Sequence, residues 1–545
     1  MNWQRSSISP HGWWPRPVWC ELTVGPIAAP RAHPRIDRYR SGRGWWAAAA
    51  VALLPALIPP VSLLVQVAGS GTAVAVPFPR LAELFANTLL LTIAVTVSAL
   101  VIGLVTGWLT SRVDLPFRKG WMTLAALPLV VPSYVAALSL IAATGTDGVL
   151  LGVPTPYGFV GAWLVLSVFT APLVHLTVIP GLRAIDPATE EAATGLGASR
   201  WRVFATVTVP QLRPALVSSG LLVGLYTVSD FGAVSLLRYD TFTRAIYTLY
   251  RGQLDRRPSA TLSLLLMALA VVILFVERRY RSRAAMHSRR PRRRRTLISL
   301  RGWRLVVSIG VLSLYALLSL GVPILVMTAA VGRGLAVGQT VGSLGVEAFR
   351  SLGVAMLAAL VTAIAAFPVA MVTSRRPGRL SGWVESVVWG SYSLPHITVG
   401  VAAVGFALQW ARPLYQTLLF LLIIYVAIFL PQAIGSIQDA LRRASPDLED
   451  ASRGLGHGPL ATLARITLPL AVPGLLAGGA LVFLSVMKEL PATLLLRPNG
   501  FETLAIRIWS STAEGFITRA SAAGLVLLVA SIVPLFLVMS RELSD

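Results

Sequence analysis

Twelve stretches of this chain run for about 20 residues or more with almost no charge. In the first half they lie at about 45–68, 87–109, 121–143, 159–180, 213–236 and 260–277. In the second half they lie at about 303–328, 350–373, 384–408, 414–435, 471–494 and 521–540. About 20 apolar residues is the length an α-helix needs to cross roughly 30 Å of hydrocarbon. The pattern therefore predicts an all-α polytopic membrane protein of about twelve transmembrane helices. Composition agrees, because the 545 residues are 55% hydrophobic and only 13% charged, with mean hydropathy +0.71. Soluble domains carry about 25% charged residues.

The net charge is +24, which in a soluble chain would suggest nucleic acid. Here the arginines cluster in the gaps between apolar stretches, as positive-inside sorting requires, and a nucleic-acid partner is excluded. That bias places both termini in the cytoplasm, with loops 110–120, 181–212, 278–302, 374–383 and 436–470. The gaps 144–158 and 409–413 carry one arginine, Arg412, and fall outside. The outer segments 237–259 and 495–520 mix arginines with acids and aromatics, and are expected to be folded, partly amphipathic caps. The predicted organisation is a disordered cytoplasmic tail at 1–43, a first half at 44–277, a basic linker at 278–302 and a second half at 303–545. The linker contains Arg292-Arg293-Arg294-Arg295. Such a run is usually solvated.

Two absences narrow the chemistry. Cys20 is the only cysteine, so no intrachain disulfide or thiolate cluster can form. The only lysines are Lys119 and Lys488, neither in a Gly-Lys-Ser/Thr context, so the chain has no phosphate-binding loop of the Walker type. If ATP drives this protein, another subunit hydrolyses it.

The two halves repeat each other. Glu190-Glu191-Ala192-Ala193, followed by Gly195-Leu196-Gly197, recurs 259 residues later (190 to 449) as Glu449-Asp450-Ala451-Ser452, followed by Gly454-Leu455-Gly456. Pro187, Pro210 and Pro214 recur as Pro446, Pro469 and Pro473. Asp230 recurs as Glu489, and Arg238 as Arg497. Thr110-Ser111-Arg112 recurs as Thr373-Ser374-Arg375, and Pro132 as Pro395, both 263 residues later. A repeat in register means two copies of one unit. Parallel copies imply a pseudo-twofold axis along the membrane normal, with a pathway between the halves.

Locally the repeat predicts a helix, a glycine turn and a second helix. Asp186 or Ser445 caps the first helix, proline suits its first position, and the carboxylates sit near its positive end. Glycine ends it. The second helix restarts after Ser199 or at Gly458-Pro459 and is expected to end near Pro210 or Pro469.

An acidic residue, two small residues, three more and a glycine, in a cytoplasmic loop before a late span, resemble the coupling motif of binding-protein-dependent ABC importer permeases. Two copies in one chain are similar to the fused permeases of the ferric-iron and thiamine branch. Leu127-Pro128-Leu129-Val130-Val131-Pro132 and Ser229-Asp230-Phe231-Gly232-Ala233 are particularly similar to iron(III) permeases. The resemblance covers about residues 80–540. It implies a type I importer fold, two copies of an ABC ATPase subunit that carry the ATP and Mg, and an extracytoplasmic solute-binding protein. It also implies that loops 181–212 and 436–470 enter grooves on the ATPase, where Glu190, Glu191 and Glu449 pair with basic groups. Ala192, Ala193, Gly197, Ala451 and Gly456 would allow close approach. The second loop departs from the pattern at Asp450 and Ser452, so an unequal second dock is expected. The substrate implied is ferric iron, with thiamine or another small solute as the alternative.

Asp230, Lys488 and Glu489 lie in or at the ends of spans, where ionisable groups are costly and usually functional. They are candidates for the pathway or a gate. The competing reading is a pair of interfacial ion pairs, Asp230 with Arg238 and Lys488 with Glu489. His175, His396 and His457 are scattered, and no set has metal-ligand spacing. No nucleophile–base set is visible, so no catalytic residue is assigned. Gly103-x-x-x-Gly107 and Gly220-x-x-x-Gly224 permit close helix packing. An ion-coupled secondary transporter is the other class considered, but it has no need of twin acidic–glycine loops.

Overall fold

The computed structural model describes residues 42–68, 76–145, 148, 153–253, 255–285, 297–376 and 378–542. The expected tail as far as residue 41, with Cys20, and the arginine run at 292–295 lie outside the described residues. In the first half, α1 (Gly42–Ala68) and α2 (Phe78–Arg112) precede a bent pair, α3 (Arg118–Ala126) and α4 (Ser133–Ala143). Then come α5 (Phe159–Ala184), two short helices, α6 (Pro187–Gly195) and α7 (Arg200–Val203), and α8 (Val209–Ser229). The half closes with α9 (Gly232–Leu236), α10 (Phe242–Gly252) and α11 (Arg257–Ala285).

The second half opens with α12 (Trp303–Ala316) and α13 (Val322–Ala336) and then repeats the order. The long α14 (Leu344–Arg375) precedes the bent pair α15 (Arg379–Tyr392) and α16 (His396–Trp410). After α17 (Leu418–Arg443) come the short α18 (Asp447–Gly454) and α19 (Pro459–Thr462), then α20 (Leu468–Met487). The chain ends on α21 (Pro491–Leu496), α22 (Leu504–Ala513) and α23 (Ile517–Glu542). The described residues form an all-α protein, with one isolated bridge, Val113 to Ile298. Nine of their helices are long and apolar enough to cross a membrane, eleven if each bent pair is one span. α23 takes the place of the twelfth stretch.

Three expectations need correction. The stretches 121–143 and 384–408 are not straight spans, because they bend by 92° and 102°. The bends fall at Pro132 and Pro395, and a proline pushes the residue before it out of the helical region. Val131 accordingly has ψ 117°. The stretches 213–236 and 471–494 break at Asp230 and Lys488, and each continues as a separate short helix. Finally, the second helix of each docking loop does not end at Pro210 or Pro469. It runs on through a π-turn, at Phe204–Thr208 or Leu463–Thr467, into α8 or α20. A proline lacks an N–H and crowds the carbonyl four residues back; the wider π-turn just before it relieves that crowding.

The halves interlock. Ser62 on α1 donates to the carbonyl oxygen of Ala402 in the second half at 2.8 Å. Conversely Tyr315 on α12 donates to the Val168 carbonyl, and Arg333 at the end of α13 donates to that of Gly148. The opening helix of each half therefore packs on the other half. Within each half the same trio packs together, α2 with α5 and α8, and α14 with α17 and α20. Small residues set the spacing, since a methyl group at Gly103 would overlap Val174, and one at Gly474 would meet Ala440 at 2.7 Å.

Candidate functional site: twin docks and the crossing between the halves

Each acidic–glycine loop, the candidate dock, is a short helix closed by the same turn. In the first, Asp186 Oδ1 accepts from Ala188 N–H at 3.0 Å. In the second, Ser445 Oγ accepts from Asp447 N–H at 3.2 Å. The helices then end in matching hydrogen bonds. Gly197 N–H donates to Thr194 O at 2.9 Å and Ala198 N–H to Ala193 O at 3.2 Å. Gly456 N–H donates to Arg453 O at 2.9 Å and His457 N–H to Ser452 O at 3.2 Å. This pattern needs a left-handed residue after the helix. Gly197 has φ +85° and Gly456 has φ +86°. A Cβ at either position would touch nothing among the described residues, so the requirement is one of backbone conformation.

The loop carboxylates face two ways. Glu190 and Glu449, expected to meet a partner's basic groups, instead turn inward. Glu190 Oε1 lies 3.4 Å from Arg112 Nη2 and accepts from Thr208 Oγ1 at 2.8 Å. Glu449 Oε1 accepts from Arg375 Nε at 3.2 Å and lies 3.1 Å from its Nη2, while Arg375 Nη1 donates to the Ala444 carbonyl. Ser452 is also buried, within hydrogen-bonding distance of His457 and Thr462. Glu191, Ala192, Asp450 and Ala451 lie on the exposed face, and Ala193 is half-buried.

That face carries side chains which the pattern of acids and glycines did not single out. Leu196 is 90% exposed and Trp201 75%, and their repeat mates Leu455 and Leu460 are each 80% exposed. Large apolar side chains held out on a polar loop mark an interaction surface. Their shared spacing of 259 residues was the available signal.

The second cluster lies where the halves cross. Lys488, at the end of α20, donates from Nζ to the carbonyl of Leu129 in the first half at 3.1 Å. Tyr134 of the first half donates back to the Lys488 carbonyl at 3.4 Å. Glu489 pairs with His396 Nδ1 at 2.5 Å, and its Oε1 accepts from Ala492 N–H at 3.0 Å. Asp230 Oδ1 likewise accepts from Ala233 and Val234 N–H at 3.0 and 3.3 Å. Each acid thus caps the short helix after its break. Among the described residues neither expected ion pair forms, since Arg238 stacks on Tyr157 and Glu489 takes His396. The partner His396 could have been found from the sequence, because it sits directly after Pro395, at the bend.

The arrangement therefore offers one exposed helix–turn–helix surface in each half and a polar crossing between the halves. The family model for binding-protein-dependent transport system inner membrane components matches residues 99–284 and again residues 358–541. The chain is 33% identical over 468 residues to the Fe(3+)-transport system permease protein FbpB 2 of Haemophilus influenzae, covering 84% of this chain and 90% of that protein. It is 28% identical to the molybdate/tungstate transport system permease protein WtpB of Thermococcus kodakarensis, over 37% of this chain and 78% of that one. Similarity to the sulfate transport system permease protein CysT of Escherichia coli is also 28%, over 40% of this chain and 84% of that one.

Proposed function

This chain belongs to the family of binding-protein-dependent transport system inner membrane components, and from that premise we propose that it forms both membrane-spanning halves of an ATP-driven importer of ferric iron. α6–α7 and α18–α19 each dock on one copy of an ATPase subunit, which holds the ATP and Mg. An extracytoplasmic binding protein delivers the solute at the opposite end. The observation that carries this reading is the doubled dock, with one turn geometry and one pair of outward apolar side chains built twice.

Lys488, Glu489, His396 and Asp230 form the gate in this reading. They lie where the broken helices of the halves meet, and opening a path between the halves breaks the Lys488–Leu129 bond. Ferric iron is favoured over oxyanions by coverage, because the Fe(3+) relative spans both halves. The molybdate and sulfate relatives match 37% and 40% of this chain. Both termini and both docks lie in the cytoplasm, on the arginine distribution.

Uptake of labelled ferric iron, molybdate, sulfate and thiamine by cells expressing the complete transporter tests the reading. We expect iron uptake that stops when ATP is depleted. Uptake of one of the other solutes in its place would overturn the substrate. Iron uptake that survives ATP depletion but stops when the proton gradient is collapsed would return the ion-coupled alternative.

A further inference from the structure

Each dock is fastened to a long helix that does not adjoin it in the chain. α2 has 35 residues and α14 has 32, so at 1.5 Å per residue each is on the order of 50 Å long. At one end stand Arg112 and Arg375, in their buried contacts with Glu190 and Glu449. Toward the other end, inside the first turns of each helix, Thr88 Oγ1 accepts from Phe242 N–H at 3.2 Å, and Ser351 Oγ accepts from Leu504 N–H at 2.8 Å. Phe242 and Leu504 are the first residues of α10 and α22, the helices of the outer caps. Thr88 and Ser351 are 263 residues apart (88 to 351), and so are Arg112 and Arg375 (112 to 375). Both ends of both helices are therefore anchored at equivalent positions of the repeat.

Further contacts tighten the far ends. Tyr239 donates to the Asn87 carbonyl, Asn87 Nδ2 donates to that of Asp240, and Arg80 pairs with Asp240 at 2.8 Å. Arg350 Nη1 donates to the Gly500 carbonyl at 2.8 Å. The first cap in turn holds its break. Thr243 on α10 donates to the Asp230 carbonyl at 2.6 Å. In the second half Arg497, directly after α21, braces the cap internally by donating to the Phe501 carbonyl at 3.1 Å. The two caps also meet, since the Tyr247 and Trp509 rings pack edge to face 5.3 Å apart.

We infer that α2 and α14 are transmission rods, and that Arg112 and Arg375 are the positioning residues that fasten the coupling helices to them. When the ATPase displaces α6 or α18, the buried ion pair carries the rod with it. The rod then moves the outer cap beside the break at Asp230 or Lys488. A buried pair suits this task because separating its charges is costly, so the joint moves as one piece. The inference rests on the docking reading, and it adds residues that do not face the partner.

The test uses the permease with the ATPase that co-purifies with it, in lipid nanodiscs, carrying Cys20→Ser. Spin labels at Thr248→Cys on α10 and Ala513→Cys on α22 report the distance between caps, with and without ATP and vanadate. We expect a shift on ATP–vanadate in the parent. It should fall at least twofold when Arg112→Met, Glu190→Gln, Arg375→Met and Glu449→Gln are combined, which removes both pairs without leaving a lone charge. ATPase retention should stay above half the parental level, and Arg375→Lys alone should keep most of the shift. Thr88→Val with Ser351→Ala should also reduce the shift, although both docks are untouched. No shift in the parent, or an unchanged shift in both sets of variants, would overturn the inference. So would loss of the ATPase from the ion-pair variants alongside a full shift in Thr88→Val with Ser351→Ala, because the pairs would then merely build the dock. The docking reading fails separately, if replacing Leu196 and Leu455 by serine leaves ATPase binding unchanged.

Discussion

Around Gly197 and around Gly456 the backbone closes through the same hydrogen bonds, at the same distances, yet the two docks are tied to the bundle differently. Arg375 donates from Nε to Glu449 and from Nη1 to the Ala444 carbonyl, and holds Nη2 3.1 Å from the same Glu449 oxygen. Among the described residues Arg112 reaches Glu190 through one contact of 3.4 Å, and its buried Nε and Nη1 have no hydrogen-bond partner. The first dock instead gains a tie through its backbone. Ile298 N–H donates to the Arg112 carbonyl at 2.9 Å, and Asp114 N–H to that of Ile298 at 3.0 Å. These bonds clip the end of the linker onto the first half. The second dock also buries Ser452 where the first has the half-buried Ala193. The two loops present matching outer faces, while the joints behind them differ.

The largest effect should come from breaking what the docks share. Gly197→Asp with Gly456→Asp forces side chains into a left-handed conformation that costs about 1–3 kcal/mol each, and puts charge beside Leu196 and Leu455. We expect uptake to be abolished while the protein still accumulates in the membrane. Each single change should be partial, and the two unequal. Equal effects would erase the functional side of the comparison.

Breaking the joints should separate the docks. Arg375→Met removes the contacts that Arg375 makes with the buried Glu449 and the Ala444 carbonyl, a loss of about 3–5 kcal/mol for a buried pair. Arg112→Met should cost less, about 1–3 kcal/mol, because Glu190 is 13% exposed and keeps Thr208. Thermal unfolding of the purified permease in detergent should show the second variant melting higher than the first. The reverse order would mean that the linker clip, not the arginine, decides which dock is firmer.

Ser452→Ala makes the second dock resemble the first at that position. It removes a hydroxyl that His457 and Thr462 share, so a loss of about 1 kcal/mol is expected, with uptake nearly intact. A large loss of uptake would show that the departure from alanine is functional. The smallest effect is expected from single cysteines at Ser199 and Gly458 in a Cys20→Ser background. Both should leave uptake unchanged and stay unlabelled by an impermeant thiol reagent on intact cells, since both docks are expected inside. Labelling of one but not the other would break the parallel repeat.

Much of this was legible in the sequence because it depends on periodicity and on fixed offsets. The apolar stretches located the helices, and the acidic–glycine repeat located both helix–turn–helix loops and the glycines at their turns. The bends were not legible as bends. Pro132 and Pro395 signal a break, but helices in lipid also run through proline, as α5 does at Pro172 and Pro180. The inward turn of Glu190 and Glu449 was hidden because neighbouring carboxylates on one helix turn look alike until the packing chooses between them. Arg112 and Arg375 were visible only as a matched pair of tripeptides. That they meet the docks depends on how α2 and α14 pack against the loops, which no local pattern encodes.

The claim that organises this account is that the twin loops hold the ATPase through their outward apolar pairs. Leu196→Ser with Trp201→Ser, and Leu455→Ser with Leu460→Ser, test it without touching a buried group, since exposed substitutions usually change stability by only about 0.5 kcal/mol. The measurement is the amount of ATPase that co-purifies with each permease variant. The account predicts a partial loss from either pair alone and loss of nearly all the ATPase when all four are replaced, in a protein that melts as the parent does. Full retention of the ATPase in the fourfold variant would contradict it.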